Sequence, residues 1–204
     1  MRKERCKVKE RGKLIVLSGP SGAGKSTVVA LAMEKRQDIC FSVSVTTRDP
    51  RPGEVNGKDY FFISEEEFRK MVEEDLLLEH AEYVSHSYGT PGSFVLEKLD
   101  SGMNVVLDIE VKGARQVKEK FPEAVLVFFA PPSLSVLRER LTGRGTETAE
   151  TISARLERAG QEYAEADFYD WLVINETPEK AAEELSAIIT ASHCRFSDRK
   201  DILK

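Results

Sequence analysis

Only three cysteines, Cys6, Cys40 and Cys194, are spread over 204 residues, with no CxxC spacing between them. An odd number at such separations supports neither a disulfide framework nor a thiolate metal site, and it reads as a reduced, cytosolic chain. Histidine is as scarce. His80 and His86 lie six apart and only His193 neighbours a cysteine, so no metal-ligating set stands out. Long apolar runs are missing too. The longest, Ala124 to Ala130 (AVLVFFA), is far too short to span a bilayer and suits a buried strand. The basic N-terminus, MRKERCKVKERGK, precedes only the short LIVL run. It lacks the apolar stretch and cleavage site of a signal peptide, and Glu4, Glu10 and the absence of serine count against a transit peptide. Residues 1–12 are expected to be a solvated tail. There is no basic excess: 30 Lys and Arg stand against 35 Asp and Glu, for a net charge of −5. That argues against a general nucleic-acid binder, but a few local arginines could still hold a small phosphorylated ligand. No internal repeat, low-complexity linker, or Ser/His/Asp or Cys/His constellation appears.

What is present is an α/β rhythm. Leu14–Ser18 reads as a strand closed by Gly19-Pro20, Lys25 to about Arg36 as a helix, and Cys40–Val45 as a second strand. From Thr46 to Ser93 turn residues cluster, and Asn56-Gly57 signals a hairpin. Short strands are expected at Asp59–Ile63 and Leu77–Tyr88. A helix is expected at Ser64–Glu73, with Ser64 and Glu67 as a capping box. The rhythm then returns with strands at Met103–Asp108, Ala124–Ala130 and Trp171–Ile174. Helices alternate with them at Lys112–Lys120, Ser133–Leu141, Ile152–Ala164 and Glu179–Cys194. The pattern predicts a mainly parallel sheet flanked by helices, formed by residues 1–45 and 94–204, with an inserted mixed lobe at 46–93. Ligands on such sheets gather at the carboxyl ends of the strands.

Residues 19–26, GPSGAGKS, fit G-x-x-x-x-G-K-[ST] directly after a strand and at the opening of a helix. Gly19, Gly22 and Gly24 let backbone N–H groups turn toward an anion. The stretch Gly19, Pro20, Ser21, Gly22, Ala23, Gly24, Lys25, Ser26 and Thr27 is the candidate ATP site. Lys25 can reach the β- and γ-phosphates, and the Ser26 hydroxyl is a candidate Mg²⁺ ligand. Asp108 ends an apolar strand (VVLDIE) in Walker-B style; an acid capping the next turn would look the same. Arg48 and Arg51, three apart and held by Pro50 and Pro52, make a fork for a dianionic phosphate, with Tyr60 as a nearby hydroxyl donor. A solvated basic turn is the alternative reading of that fork.

The segments GPSGAGKST, SVSVTTRDPRPGEVNGKDYFF, LLLEHAEY, YGT, LDIE, APPS, LRERLTGRGTET and VIN resemble guanylate kinase, in order, over about residues 13–192. The resemblance implies transfer of the γ-phosphoryl group of ATP, with Mg²⁺, to GMP. It places the GMP phosphate on Arg48, Arg51, Tyr60 and Tyr88, and the guanine on Ser44, Glu79, Thr90 and Asp108. A carboxylate at Glu79 could accept from guanine N1–H and N2–H₂ together, and adenine would leave it unpaired. Hydroxyls at Ser44 and Thr90 could donate to O6. The resemblance also implies a lid, about 140–158, whose Arg140, Arg144 and Arg155 close over the phosphates; Arg138, two from Arg140, faces elsewhere. Lys25, Arg48 and the lid arginines are then the catalytic set. Small departures from the family pattern are Thr90 where Ser is also used, Glu110 where Asp is common, and His80 in place of an aromatic.

Two small-molecule substrates are therefore expected, without nucleic acid or membrane partners, and the sequence leaves monomer and homo-oligomer open. Three rivals are weighed. A non-catalytic binding module of this family typically has a damaged phosphate loop, whereas GPSGAGKS is intact. A kinase for another nucleoside monophosphate fits poorly with Glu79, Ser44 and the TTRDPR run. A GTPase switch would need an N-K-x-D motif, which is absent.

Overall fold

The computed structural model describes residues 11–83, 85–143 and 148–203. Chain order runs β1 (Leu14–Ser18), α1 (Lys25–Lys35), β2 (Ile39–Phe41), β3 (Val45–Thr46), β4 (Phe61–Phe62), α2 (Glu65–Glu73), β5 (Leu77–Tyr83) and β6 (His86–Pro91). It continues with α3 (Gly92–Asp100), β7 (Asn104–Asp108), α4 (Val111–Lys120), β8 (Val125–Ala130), α5 (Leu134–Thr142), α6 (Ala149–Ala164), β9 (Trp171–Ile174) and α7 (Pro178–Ser192).

Five strands form a parallel sheet in the order β2-β7-β1-β8-β9. β1 and β8 are buried at every position, as expected when both faces are covered. One face packs α1 and α7 through Val28, Ala32, Leu185 and Ile189; the other packs α3 and α4 through Val95, Leu99, Ala114 and Val117. β1 and β7 lie side by side, so Ser18, which leads into the phosphate loop, and Asp108 finish at the same end of the sheet.

The second sheet has the order β4-β3-β6-β5 and mixed directions. Here the structure departs from the expected elements. The predicted strand Cys40–Val45 is two strands in two sheets: β2 pairs with β7, while β3 pairs with β4 and β6. The predicted strand Leu77–Tyr88 is the antiparallel pair β5 and β6. α3 had no predicted counterpart, because GSFVLEKLD opens on a glycine and has no side-chain cap. Asn56-Gly57 does not join a hairpin. β3 and β4 run parallel, and Asn56 Oδ1 instead accepts from the Phe62 N–H at 2.9 Å. The capping box is as expected, with Ser64 Oγ accepting from the Glu67 N–H and the Glu67 carboxylate accepting from the Ser64 N–H. The chain is already packed at Gly12, within the stretch expected as tail: its N–H donates to the Leu99 carbonyl at 2.8 Å.

α5 and α6 pack on each other through Leu137, Leu141, Ile152 and Ala159, a small core separate from both sheets. Burial and capping differ in weight, which gives a stability contrast. Ile15→Ala, fully buried at the sheet centre, should cost about 2–5 kcal/mol in urea denaturation. Ser64→Ala, which removes an exposed cap, should cost about 1 kcal/mol.

Candidate functional site

The loop between β1 and α1 turns on glycines at positions where a side chain would be strained and crowded. Gly19 has φ +139, and a Cβ there would lie 2.0 Å from the Phe129 carbonyl oxygen. Gly24, the N-cap of α1, has φ +85, and a Cβ there would lie 2.5 Å from Asn175 Nδ2. α1 begins with neither a side-chain cap nor an acid in its first turn. Its orphan N–H groups and the positive end of its dipole are thus left for an external anion. Lys25 Nζ donates to the Gly19 carbonyl at 2.6 Å and stands 3.5 Å from Asp108 Oδ1. Ser26 and Thr27 are exposed on the first turn.

Asn175, from the VIN segment, buttresses this loop. It is buried, its Nδ2 donates to the Ala23 carbonyl at 2.7 Å, and its own carbonyl accepts from Arg140 Nη2 at 2.8 Å. A buried side-chain amide holding a loop carbonyl was not legible in a three-letter apolar strand ending. Arg155, on α6, reaches the loop directly through Nη1 to Ser21 Oγ at 2.6 Å. The helical pair thus brings Arg155 onto the phosphate loop and Arg140 onto Asn175, the residue that braces it, while Arg138 is exposed. Arg144 lies outside the described residues.

Two cavities open at this end of the sheet. One, of about 420 Å³, has Gly19, Ser21, Lys25 and Arg155 in its walls. The other, of about 310 Å³, is walled by Ser44, Arg48, Arg51, Tyr88 and Glu79, among others. Tyr60, Asp108, Ile109 and Glu110 belong to both, so the two cavities adjoin there. A larger space of about 850 Å³ between β5 and α6 contains no phosphate-loop residue, and acids such as Glu82, Glu157 and Glu165 line it. It suits an anion poorly.

In the second cavity, Arg48 and Arg51 both line the wall, and Glu54 holds the Arg48 guanidinium and the Arg51 main chain. Arg48 Nη2 donates to both Glu54 oxygens at 2.9 and 3.0 Å, and the Arg51 N–H donates to Glu54 Oε2 at 2.7 Å. The Glu54 carboxylate holds the Arg48 pKa above its ordinary value and is itself held low by Arg48. The Arg48 guanidinium also lies over the Tyr60 ring, 5.5 Å from its centroid. Burial pushes the Tyr60 phenol up, so it stays a hydroxyl donor. Glu54 stood in the GEV run without an assigned role.

At the far wall Glu79 is only 5% exposed. Thr90 Oγ1, itself fully buried, donates to Glu79 Oε1 at 2.7 Å. Desolvation raises the Glu79 pKa to about 7, with the Thr90 hydrogen bond pulling the other way. Thr90 is therefore engaged with the carboxylate in this structure, and of the two hydroxyls expected at the base only Ser44 lines the cavity. Crowding by the cleft pushes the Asp108 carboxyl up against the pull of Lys25, though its side chain stays 28% open to solvent. Arg158 on α6, unassigned from sequence, pairs with Glu110 at 2.7 Å and Glu162 at 3.3 Å.

A cavity at the uncapped start of α1 adjoins one lined by two arginines and a buried carboxylate. The family model described as guanylate kinase matches residues 11–192. The chain belongs to the guanylate kinase family. It is 50% identical to the guanylate kinase of Caldanaerobacter subterraneus subsp. tengcongensis, over 96% of this chain and 95% of that one. It is 52% identical to that of Lactococcus lactis subsp. lactis, over 92% of each. The crystal structure of guanylate kinase from Anaplasma phagocytophilum superposes with a TM-score of 0.74 at 35% identity, covering 91% of this chain and 88% of that one.

The buried carboxylate gives a test that needs no substrate. The Glu79 carboxyl, followed by ¹³C NMR, should titrate near 7, and Thr90→Val should move the midpoint higher. Because the folded-state pKa lies above the ordinary value, Glu79 favours the folded chain at low pH. That contribution is lost as pH rises through about 7, and it should vanish in Glu79→Gln.

Proposed function

We propose that this guanylate kinase family member transfers the γ-phosphoryl group of ATP to GMP, giving ADP and GDP. The observation that carries this is the junction at Tyr60 and Asp108, where the phosphate-loop cavity adjoins the cavity of Arg48, Arg51 and Glu79. Triphosphate in the first and monophosphate in the second would place donor and acceptor phosphates in one cleft.

ATP phosphates take the backbone N–H groups of residues 19–27, with Lys25 on the β- and γ-oxygens. Mg²⁺ prefers oxygen ligands and keeps several waters. The Ser26 hydroxyl on the exposed first turn of α1 fits it as a single protein ligand. Bound there with ATP, the ion would supply neutralisation of phosphate charge. Arg48, Arg51, Tyr60 and Tyr88 hold the GMP phosphate. Glu79, ionised, accepts from guanine N1–H and N2–H₂, Ser44 donates to O6, and Asp108 completes the base side. Thr90 acts through Glu79.

The acceptor is already a phosphate oxygen, so no strong general base is needed, and the protein's work is alignment and charge neutralisation. Lys25, Arg140, Arg144 and Arg155 balance the donor charge, and Arg48 the acceptor. Closure of the lobe (46–93) and the lid (about 140–158) on the core excludes water and suppresses ATP hydrolysis. Among the described residues no helix is long and apolar enough to cross a membrane, and a reduced cytoplasmic setting fits the unpaired Cys40 and Cys194.

With ATP and Mg²⁺, a coupled assay of ADP release should show rapid turnover with GMP and little with AMP, UMP or dTMP. Turnover with another monophosphate would keep the kinase class and overturn the acceptor pocket. Lys25→Met should abolish turnover with folding intact; near-normal activity would remove the lysine from the mechanism. KM for GMP should rise as pH falls through about 7, where Glu79 takes up its proton, and this component should be missing in Glu79→Gln.

A further inference from the structure

β5, which carries Glu79, is the edge strand of the lobe sheet, so one of its sides has no strand partner. α4 covers that side. α4 is a core element, with Ala114 and Val117 packed against β1 and β7 residues. Its residues Gly113, Gln116 and Lys120 recur at i, i+3 and i+7 and share one helix face.

That face stitches the lobe edge to the core. Lys120 Nζ donates to the Leu77 carbonyl at 2.8 Å and pairs with Asp75. Gln116 Oε1 accepts from the His80 N–H at 3.0 Å, and Gln116 Nε2 donates to the His80 carbonyl at 2.9 Å. One side-chain amide thus stands in for a neighbouring strand at the residue next to Glu79. Gly113 supplies the remaining space. A Cβ there would lie 2.7 Å from Glu79 Oε2, so the carboxylate lies against helix backbone on one side. Its other oxygen takes the Thr90 hydroxyl at 2.7 Å.

We propose that Gln116 and Gly113 are positioning residues for base recognition, fixing the Glu79 carboxylate in register against the core. The proposal rests on the reading of Glu79 as the guanine acceptor. It divides the lobe into two functional ends. The base end is tied to α4, while Arg48 and Arg51 follow β3, toward the opposite edge of the same sheet. Base specificity then depends on the contact between the lobe edge and the core helix.

The test compares Gln116→Met, Gly113→Ala and Glu79→Gln in phosphoryl transfer from ATP to GMP and to IMP, which lacks the 2-amino group. Tm is measured for each. Gln116→Met keeps length and volume while removing both hydrogen bonds. It should raise KM for GMP on the order of 10-fold, leave kcat and KM for ATP within about 2-fold, and shrink the GMP-over-IMP preference. An unchanged preference, or a fall in kcat together with a rise in both KM values, would mean a merely structural role and overturn the proposal. Gly113→Ala should displace the midpoint near 7 in the pH dependence of KM for GMP, and an unmoved midpoint counts against it. Glu79→Gln separates the two claims. If it leaves KM and base preference unchanged, the reading of Glu79 itself fails. If it destroys base preference while Gln116→Met behaves as the parent chain, only the positioning role fails.

Discussion

A helix start with nothing of its own to cap it organises this molecule. The first turn of α1 carries no acid and no side-chain cap, and its N-cap glycine holds a backbone angle that an ordinary residue resists. Left alone, such an end is under-satisfied; with a phosphate it is complete. The surrounding structure serves that end. Asn175 braces the Ala23 carbonyl from below, Arg155 reaches Ser21 from the side, and Lys25 is held between the Gly19 carbonyl and Asp108. The parallel sheet contributes by ending β1 and β7 together, which sets Asp108 beside the loop.

The second constraint is charge. Two anionic substrates repel, so cations must come from elements far apart in the chain, and those cations must be kept from collapsing or splaying meanwhile. Four cations are held by a polar or acidic partner: Arg48 by Glu54, Lys25 by Asp108, Arg158 by Glu110 and Arg140 by a backbone carbonyl. An arginine already oriented loses less freedom when a phosphate replaces its partner. Glu79 works the opposite way. It is a buried acid whose one side-chain donor among the described residues is Thr90, and its raised pKa reflects that desolvation.

Much of this was open to sequence reasoning because it is local. A strand, a glycine turn and a helix are neighbours in the chain, so β1, GPSGAGKS and α1 were readable from adjacent residues. The Ser64–Glu67 capping box was readable for the same reason. The errors fell where sheet membership is decided by distant partners. Nothing within Cys40–Val45 says that the strand breaks between two sheets, and nothing within Leu77–Tyr88 says that it folds back on itself. Asn56-Gly57 carried a sound turn signal, but the chain used it to deliver β4 parallel to β3.

The sequence by itself determined the chemistry: a phosphate loop, a pair of arginines on a proline-stiffened turn, and the order of motifs that marks the family. Those depend on residue type and short spacing. Only the tertiary structure decided how that chemistry is supported. Glu54 between the arginines, Thr90 on Glu79, Asn175 under the loop and the α4 face along β5 are contacts between side chains and partners that range from a few residues to about 150 apart. Such contacts leave no local pattern. A glutamine that grips a strand edge and one that faces water are written with the same letter, and only packing tells them apart.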